Sequence, residues 1–290
     1  MFSKSHLKKN FSEFLTFYKN RPIKNNQSGM KIDHCYALFT LLKKIKPKYV
    51  IESGVWKGQT TWLIKNVLKN SKIFSIDIDL SQRDLIYKNV KYLEKDITKY
   101  NWSKLDKNKT LIIFDDHVCF SKRLNFIKKN KFKHIIFDDN LPNHHISYYT
   151  PKMIVENQYL VKKEFIKYSN FFRLIKIIIR ILKKNFEHNT KINFFNRYIK
   201  ITYPIKNNKN LKKNFDSFKK KVQIYYEFPP ITKFNYKKRF IKILNNFKEF
   251  VPKNYKVKRP IFSNSETHLP KELKSELNVQ YSNICYIKLN

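Results

Sequence analysis

The chain is 290 residues long, with 42% hydrophobic and 16% aromatic residues, enough apolar side chain for a sizeable core and too much for a disordered chain. Its 61 Lys and Arg against 22 Asp and Glu give a formal net charge of +39, which points either to nucleic acid or an anionic surface, or to A/T-rich coding, whose excess of Lys, Asn, Ile, Phe and Tyr over Gly the chain carries. The three cysteines, Cys35, Cys119 and Cys285, are far apart and odd in number, which excludes a disulfide framework or zinc pattern and suits a reducing cytoplasm.

From the start of the chain, Met1 to Asn20 has no uninterrupted apolar region for secretion. Asn10 followed by Glu13 resembles a helix cap, and Phe11, Phe14, Leu15 and Tyr18 form a helical stripe. Residues 1–45 are therefore expected to be a helical segment that packs on a sheet or forms a lid. Average usage would place about twenty glycines in a chain of this size. Only three occur, and two of them, Gly54 and Gly58, fall in Glu52-Ser53-Gly54-Val55-Trp56-Lys57-Gly58. An apolar run, Tyr49 to Ile51, precedes this stretch, and an amphipathic segment, Gln59 to Asn70, follows it. Strand, glycine turn and helix open a nucleotide-type α/β fold, in which a missing Cβ lets the backbone approach a ligand. Lys72 to Asp77 reads as a second strand ending in a carboxylate suited to two ribose hydroxyls, with Asp79 as the alternative. Val90 to Leu93 reads as a third, followed by Glu94-Lys95-Asp96-Ile97.

The E-x-G-x-x-x-G spacing resembles the first motif of class I S-adenosylmethionine-dependent methyltransferases. The resemblance implies a three-layer, Rossmann-like α/β sheet, mostly parallel with an antiparallel last strand. It also implies that Glu52, Gly54 and Gly58 shape the pocket for the methionine part of S-adenosylmethionine, that Asp77 binds the ribose, and that Asp96 and Ile97 hold the adenine.

Further along, Thr110 to Phe114 runs into Asp115-Asp116-His117, and His134 to Phe137 runs into Asp138-Asp139-Asn140, with a helical stretch, Ser121 to Asn130, between them. Carboxylates converging on one crevice repel unless they are protonated or bridged by a cation, and a hard ion such as Mg²⁺ takes oxygen ligands. The pattern resembles the metal-dependent catechol-type O-methyltransferases and the cephalosporin-hydroxylase-like branch, whose members are found near sugar chemistry. That resemblance implies Asp116, Asp139 and Asn140 as magnesium ligands, with His117 beside the first. Cys119 stands where those enzymes carry a catalytic lysine, so His117, Lys122, His144 and His145 become the candidate bases, with His117 and Asp116 expected to carry the chemistry. Asp115 and Asp138 are read as helix caps. Eleven of the 22 acids lie between residues 49 and 140, where the chemistry would need them.

Asn170 to Phe186 alternates apolar residues with Arg173, Lys176, Arg180 and Lys183, too short and too charged to span a bilayer, though it could lie on an anionic membrane. Lys183 to Lys221 is Asn/Lys-rich and reads as an insertion or cap. Val222 to Phe228 and Tyr281 to Leu289 read as closing strands. The expected organisation is a helical segment 1–45, a cofactor-binding core 46–168, a basic helical insertion 169–221 and closing strands 222–290. The expected activity is methyl transfer to a hydroxyl of a sugar or small polyhydroxylated metabolite. The alternatives are a nucleic-acid methyltransferase, disfavoured because no N/D-P-P-Y/F tetrad follows the fourth strand, and a non-catalytic binding module.

Overall fold

The computed structural model describes residues 1–141, 148–157, 160–167, 173–176, 178–179, 191–195, 198–204, 209–232, 260–262 and 284–290. They divide into two compact units, the first of Met1–Asn140 with Lys220–Asn290, the second of Leu141–Lys219.

In the first unit, helices α1 (Lys4–Lys19) and α2 (Ile32–Ile45) precede strand β1 (Tyr49–Ser53), helix α3 (Gln59–Val67), β2 (Lys72–Asp77) and β3 (Val90–Glu94). A short 3₁₀ turn (Ile97–Lys99), β4 (Thr110–Phe114), α4 (Phe120–Asn130) and β5 (His134–Phe137) follow. Much later in the chain come β9 (Val222–Glu227) and β10 (Cys285–Leu289). The sheet order is β3-β2-β1-β4-β5-β10-β9. β1 to β5 run parallel, and β10 runs antiparallel to both β5 and β9. The apolar strand runs need burial on both faces, and they alternate accordingly. Val50, Leu111, Ile113 and Ile136 join the core beneath α1, α2 and α3. Phe137 meets Phe120 of α4 edge to face at 5.2 Å, and Arg123 of α4 lies over Phe114, on the other face. This is the expected three-layer, mostly parallel sheet with a reversed strand β10.

α1 begins earlier than the expected cap at Asn10, because the side chain of Ser3 accepts from the His6 amide and starts the helix there. Asn10 is mid-helix and bonds His6. Leu7, Phe11, Phe14 and Tyr18 are all buried, at roughly 1.5–3 kcal/mol for each large apolar side chain. The α1–α2 connection then crosses the strand ends, where the Trp56 indole donates to the Gln27 carbonyl at 3.0 Å.

The second unit differs from the helical insertion expected for 169–221. It contains a three-stranded antiparallel sheet, order β6-β8-β7, from β6 (Val161–Lys167), β7 (Lys191–Phe195) and β8 (Tyr198–Pro204). It also holds the short helix α5 (Pro151–Val155), capped by Thr150, and most of α6 (Lys209–Lys221), whose Phe215 and Phe218 are buried. The unit starts at Leu141, so the expected boundary at 168/169 falls inside it. Residues 173–176 and 178–179 are helical, while Arg180, the rest of the basic stretch to 190, and 281–283 of the expected last strand lie outside the described residues. Among the described residues no helix is long and apolar enough to cross a membrane.

Candidate active site

Parallel register brings the strand tips to one edge. The Gly54 amide donates to the Ile76 carbonyl at 2.9 Å, Asp115 to Ser53 at 2.8 Å and Asp138 to Phe114 at 2.9 Å. The chain leaves β1 toward β2 on one side and returns as β4 on the other, the switch point at which α/β sheets open a crevice. A cavity of about 380 Å³ lies there, lined by Ser53, Gly54 and Trp56 after β1, Asp77 and Ile78 after β2, Lys95 and Asp96 after β3, Asp115 to Val118 after β4, and Arg123. A second cavity of about 220 Å³ is lined by Lys31, Asp33 and His34 at the start of α2 and by Asp138 and Asp139 after β5. Ser28, Gly29, Asp115 and His117 line both.

Gly54 is required twice over. Its φ is 99°, and a Cβ would sit 2.1 Å from the Asp115 carbonyl oxygen. Asp77 holds the turn by accepting from the amides of Val55 at 2.8 Å and Trp56 at 3.3 Å, and it faces the cavity, whereas Asp79 is exposed and bonds Ser81. The other residues of the motif stand behind the wall. Glu52 is fully buried and accepts from Thr61 at 2.6 Å and Ser75 at 2.5 Å, and burial pushes its carboxyl up to about 7. It ties β1 to α3 and β2 and does not line the cavity. Gly58 caps α3, and Ile97 is buried in the 3₁₀ turn; neither is a wall residue.

Asp96 lines the cavity with both oxygens already engaged. Arg123 Nη1 and Nη2 donate to it at 3.1 and 2.9 Å, and the Thr98 amide and hydroxyl at 2.9 and 2.6 Å. Burial would raise this carboxyl, but the Arg123 and Thr98 hydrogen bonds outweigh it and hold it well below the usual range. Asp116 is similarly engaged. One oxygen accepts from Ser53 at 2.5 Å and lies 2.8 Å from Arg123 Nη2, and the other accepts from the Val118 amide at 3.1 Å.

The proposed ligand set Asp116, Asp139 and Asn140 is not brought together in the expected way. Asp116 lines the larger cavity and Asp139 the smaller. Asn140 lines neither, is buried, and donates to the Tyr225 hydroxyl of β9 at 2.9 Å. With Asp116 held by three donors and Asn140 buried away from both cavities, these residues do not fit a magnesium ion. Among the described residues no group of three or more His, Cys, Asp or Glu could hold a metal. Lys122 and Cys119 line neither cavity, and His144 and His145 lie outside the described residues.

His117 and Asp139, at the tips of adjacent strands, do meet, with Nδ1 2.6 Å from Oδ2. That hydrogen bond is the chief cause of a raised His117 pKa, working against partial burial. Among the described residues Asp115 and Asp138 cap no helix: the N-cap of α4 is Cys119 and that of α5 is Thr150. Burial, with Asp138 nearby, pushes Asp115 well above the carboxylate range. Asp138 lies 2.7 Å from His34 Nδ1. Burial would lower the His34 pKa, but Asp138 and Asp33 reverse this and raise it to about 10.

Backbone strain marks the same place. Among the described residues seven non-glycines have positive φ, and Lys46, Lys131 and Asn157 sit at or just after helix ends. The other four, Ser28 (65°), Trp56 (47°), His117 (53°) and Asp139 (51°), all line a cavity. The sequence pattern did not point to Ser28, Gly29, Asp33, His34, Lys95 or Arg123. The one available signal was Gly29, the third glycine, which lines both cavities.

No family model matches the chain, and no curated protein matches it. Similar solved structures include cmcI-D160 Mg-SAM, at 16% identity and a TM-score of 0.35 over 41% of this chain and 58% of that one, less than two thirds of its length. They also include the SAH-bound Podospora anserina methyltransferase PaMTH1, at 10% identity and a TM-score of 0.35 over 70% of this chain and 93% of that one. A third is a putative caffeoyl-CoA O-methyltransferase from Staphylococcus aureus, at 15% identity and a TM-score of 0.33 over 68% and 91%. Identities and scores this low carry no argument about activity, so the fold rests on strand order. A sheet ordered β3-β2-β1-β4-β5-β10-β9, with β10 alone reversed and a glycine turn after β1, is a Rossmann-like α/β sheet, mostly parallel as expected from the sequence.

Proposed function

We propose that the protein transfers a methyl group from S-adenosylmethionine to the oxygen of a small hydroxylated acceptor. The observation that carries this reading is the position of His117, which lines both cavities and is hydrogen-bonded to Asp139. The larger cavity suits the donor. Ser53, Gly54 and Trp56 would hold its methionine part, Asp77 its ribose, and Ile78, Lys95 and Asp96 its adenine side. When bound, S-adenosylmethionine supplies a methyl already activated on a sulfonium, so the reaction needs alignment and removal of the acceptor proton.

His117 is suited to that removal. A carboxylate can only accept, so Asp139 fixes the hydrogen on Nδ1 and leaves the lone pair on Nε2 for the acceptor hydroxyl. The positive charge that forms on the ring is then stabilised by Asp139. The smaller cavity, about 220 Å³ and lined by Asp and His, favours a sugar or similar polyhydroxylated metabolite over a polymer as acceptor. Asp116 already has Ser53, Arg123 and Val118 as partners, so the proton is taken by His117 with Asp139 as its support.

The test is calorimetry with S-adenosylhomocysteine, followed by transfer of labelled methyl to a panel of sugars and polyols. His117→Gln should lose about 10²- to 10⁴-fold in turnover while keeping S-adenosylhomocysteine affinity. A wild-type protein that binds neither S-adenosylmethionine nor S-adenosylhomocysteine would refute the reading.

A further inference from the structure

Arg123 is 3% exposed on α4, yet its guanidinium opens onto the larger cavity and ends on two carboxylates from distant parts of the sheet. Asp96 follows β3 at the sheet edge and Asp116 follows β4, with β2 and β1 lying between those strands. The guanidinium donates in a fork to Asp96, at 3.1 and 2.9 Å, and reaches Asp116 at 2.8 Å. Asp116 also accepts from the amide of Val118, the residue after His117, so the clamp reaches the chain that presents the base.

We propose that Arg123 is a positioning residue that clamps the adenine-side wall of the donor cavity to the tip of β4, serving as the fixed cation of Asp116 where a bound metal ion was expected. The geometry is specific to a guanidinium. A planar fork matches one carboxylate in two bonds and keeps a third donor for the second, which an ammonium on a flexible stem does not reproduce. Asp96 changes role as a consequence, because its oxygens are committed to holding the wall and are not free for an adenine amine.

The inference rests on the donor reading above, and calorimetry of the full chain with S-adenosylhomocysteine separates the two. Arg123→Ala should weaken binding about 10- to 100-fold, because two partly buried carboxylates on the cavity wall lose their shared counter-charge. Guanidinium ion at roughly 20 mM, far below the molar range that unfolds proteins, should restore much of that loss, while magnesium at the same concentration should not. A purely structural role would lower thermal stability without this selective rescue. Should Arg123→Ala fail to fold, Arg123→Lys keeps the charge without the fork and is expected to bind at least about fivefold more weakly with an unchanged circular dichroism spectrum. Wild-type affinity in either variant, or rescue by magnesium and not guanidinium, overturns the clamp. Absence of S-adenosylhomocysteine binding in the wild type overturns the donor reading and the clamp with it.

Discussion

Replacing Glu52 by Gln should leave stability nearly unchanged at acid pH and raise it at alkaline pH. Glu52 is 0% exposed, one oxygen accepts from Thr61 and Ser75, and the other has no hydrogen-bond partner. Burial, the largest cause, lifts its pKa from the model-compound value of 4.5 to about 7 against the two hydroxyls, and Asp77 adds to the rise. Between those values the native protein keeps a proton that the unfolded chain has released. Native protein therefore binds more protons than unfolded, and the unfolding free energy falls as pH rises through this window. From pH 4.5 to about 7, at about 1.36 kcal/mol per pH unit, the wild type loses about 3 kcal/mol, fully developed above pH ~7 and absent below pH ~4.5. Gln is neutral throughout and lacks this slope. Urea unfolding of both proteins from about pH 4 to pH 8 measures it, since other titrating groups cancel in the difference. Parallel stability curves, or a wild type that gains on the variant as pH rises, would refute the buried-acid account of the turn.

Other outcomes follow from the same geometry. Asp139→Asn removes the main cause of the raised His117 pKa, so the acid limb of the pH–rate profile should move to lower pH while the rate falls; an unmoved limb assigns the base elsewhere. Gly54→Ala forces a Cβ against the Asp115 carbonyl at a φ of 99°, and should cost at least about 1–3 kcal/mol in denaturant unfolding and abolish S-adenosylhomocysteine binding. Asp77→Ala should weaken that binding with less loss of stability than Gly54→Ala, because Asp77 is only half-buried and its loop amides can turn to water. Turnover should be unaffected by a chelator, as Asp116 has Arg123 for its cation.

The core was legible because its signals are local. The apolar runs of β2, β4 and β5 match their strand boundaries, β1 extends its run through Glu52 and Ser53, and the acids at and just beyond these tips had to fall at one edge once the strands ran parallel. The pairings among those acids were not legible. Arg123 reads as one more cation on an amphipathic helix, and only the fold brings Asp96 and Asp116 to it across 27 and 7 residues of chain, 123 − 96 and 123 − 116. His34 and Asp33 belong to a helix whose first turn reaches the strand tips, a tertiary fact with no local mark. In the second unit, the abundance of Lys and Asn hides the alternation of Lys191–Phe195 and Tyr198–Pro204, so these strands carry little local signal.

The reversed strand β10 has a kinetic consequence. Its partner β5 ends at Phe137 and β10 begins at Cys285, a sequence separation of 285 − 137 = 148 that must close before this pairing forms. The entropy of so long a closure rises only slowly with length, but contacts this distant in sequence are late and slow to form. Until then the apolar edge of β5 is unpaired on one side, a template for pairing with another chain. Asp138 and Asp139 directly follow that strand, so the half of the site beyond β5 should be the last to acquire native order. Refolding should show donor-cavity ligand binding recovering before methyl transfer does, with aggregation competing most strongly in the interval between them.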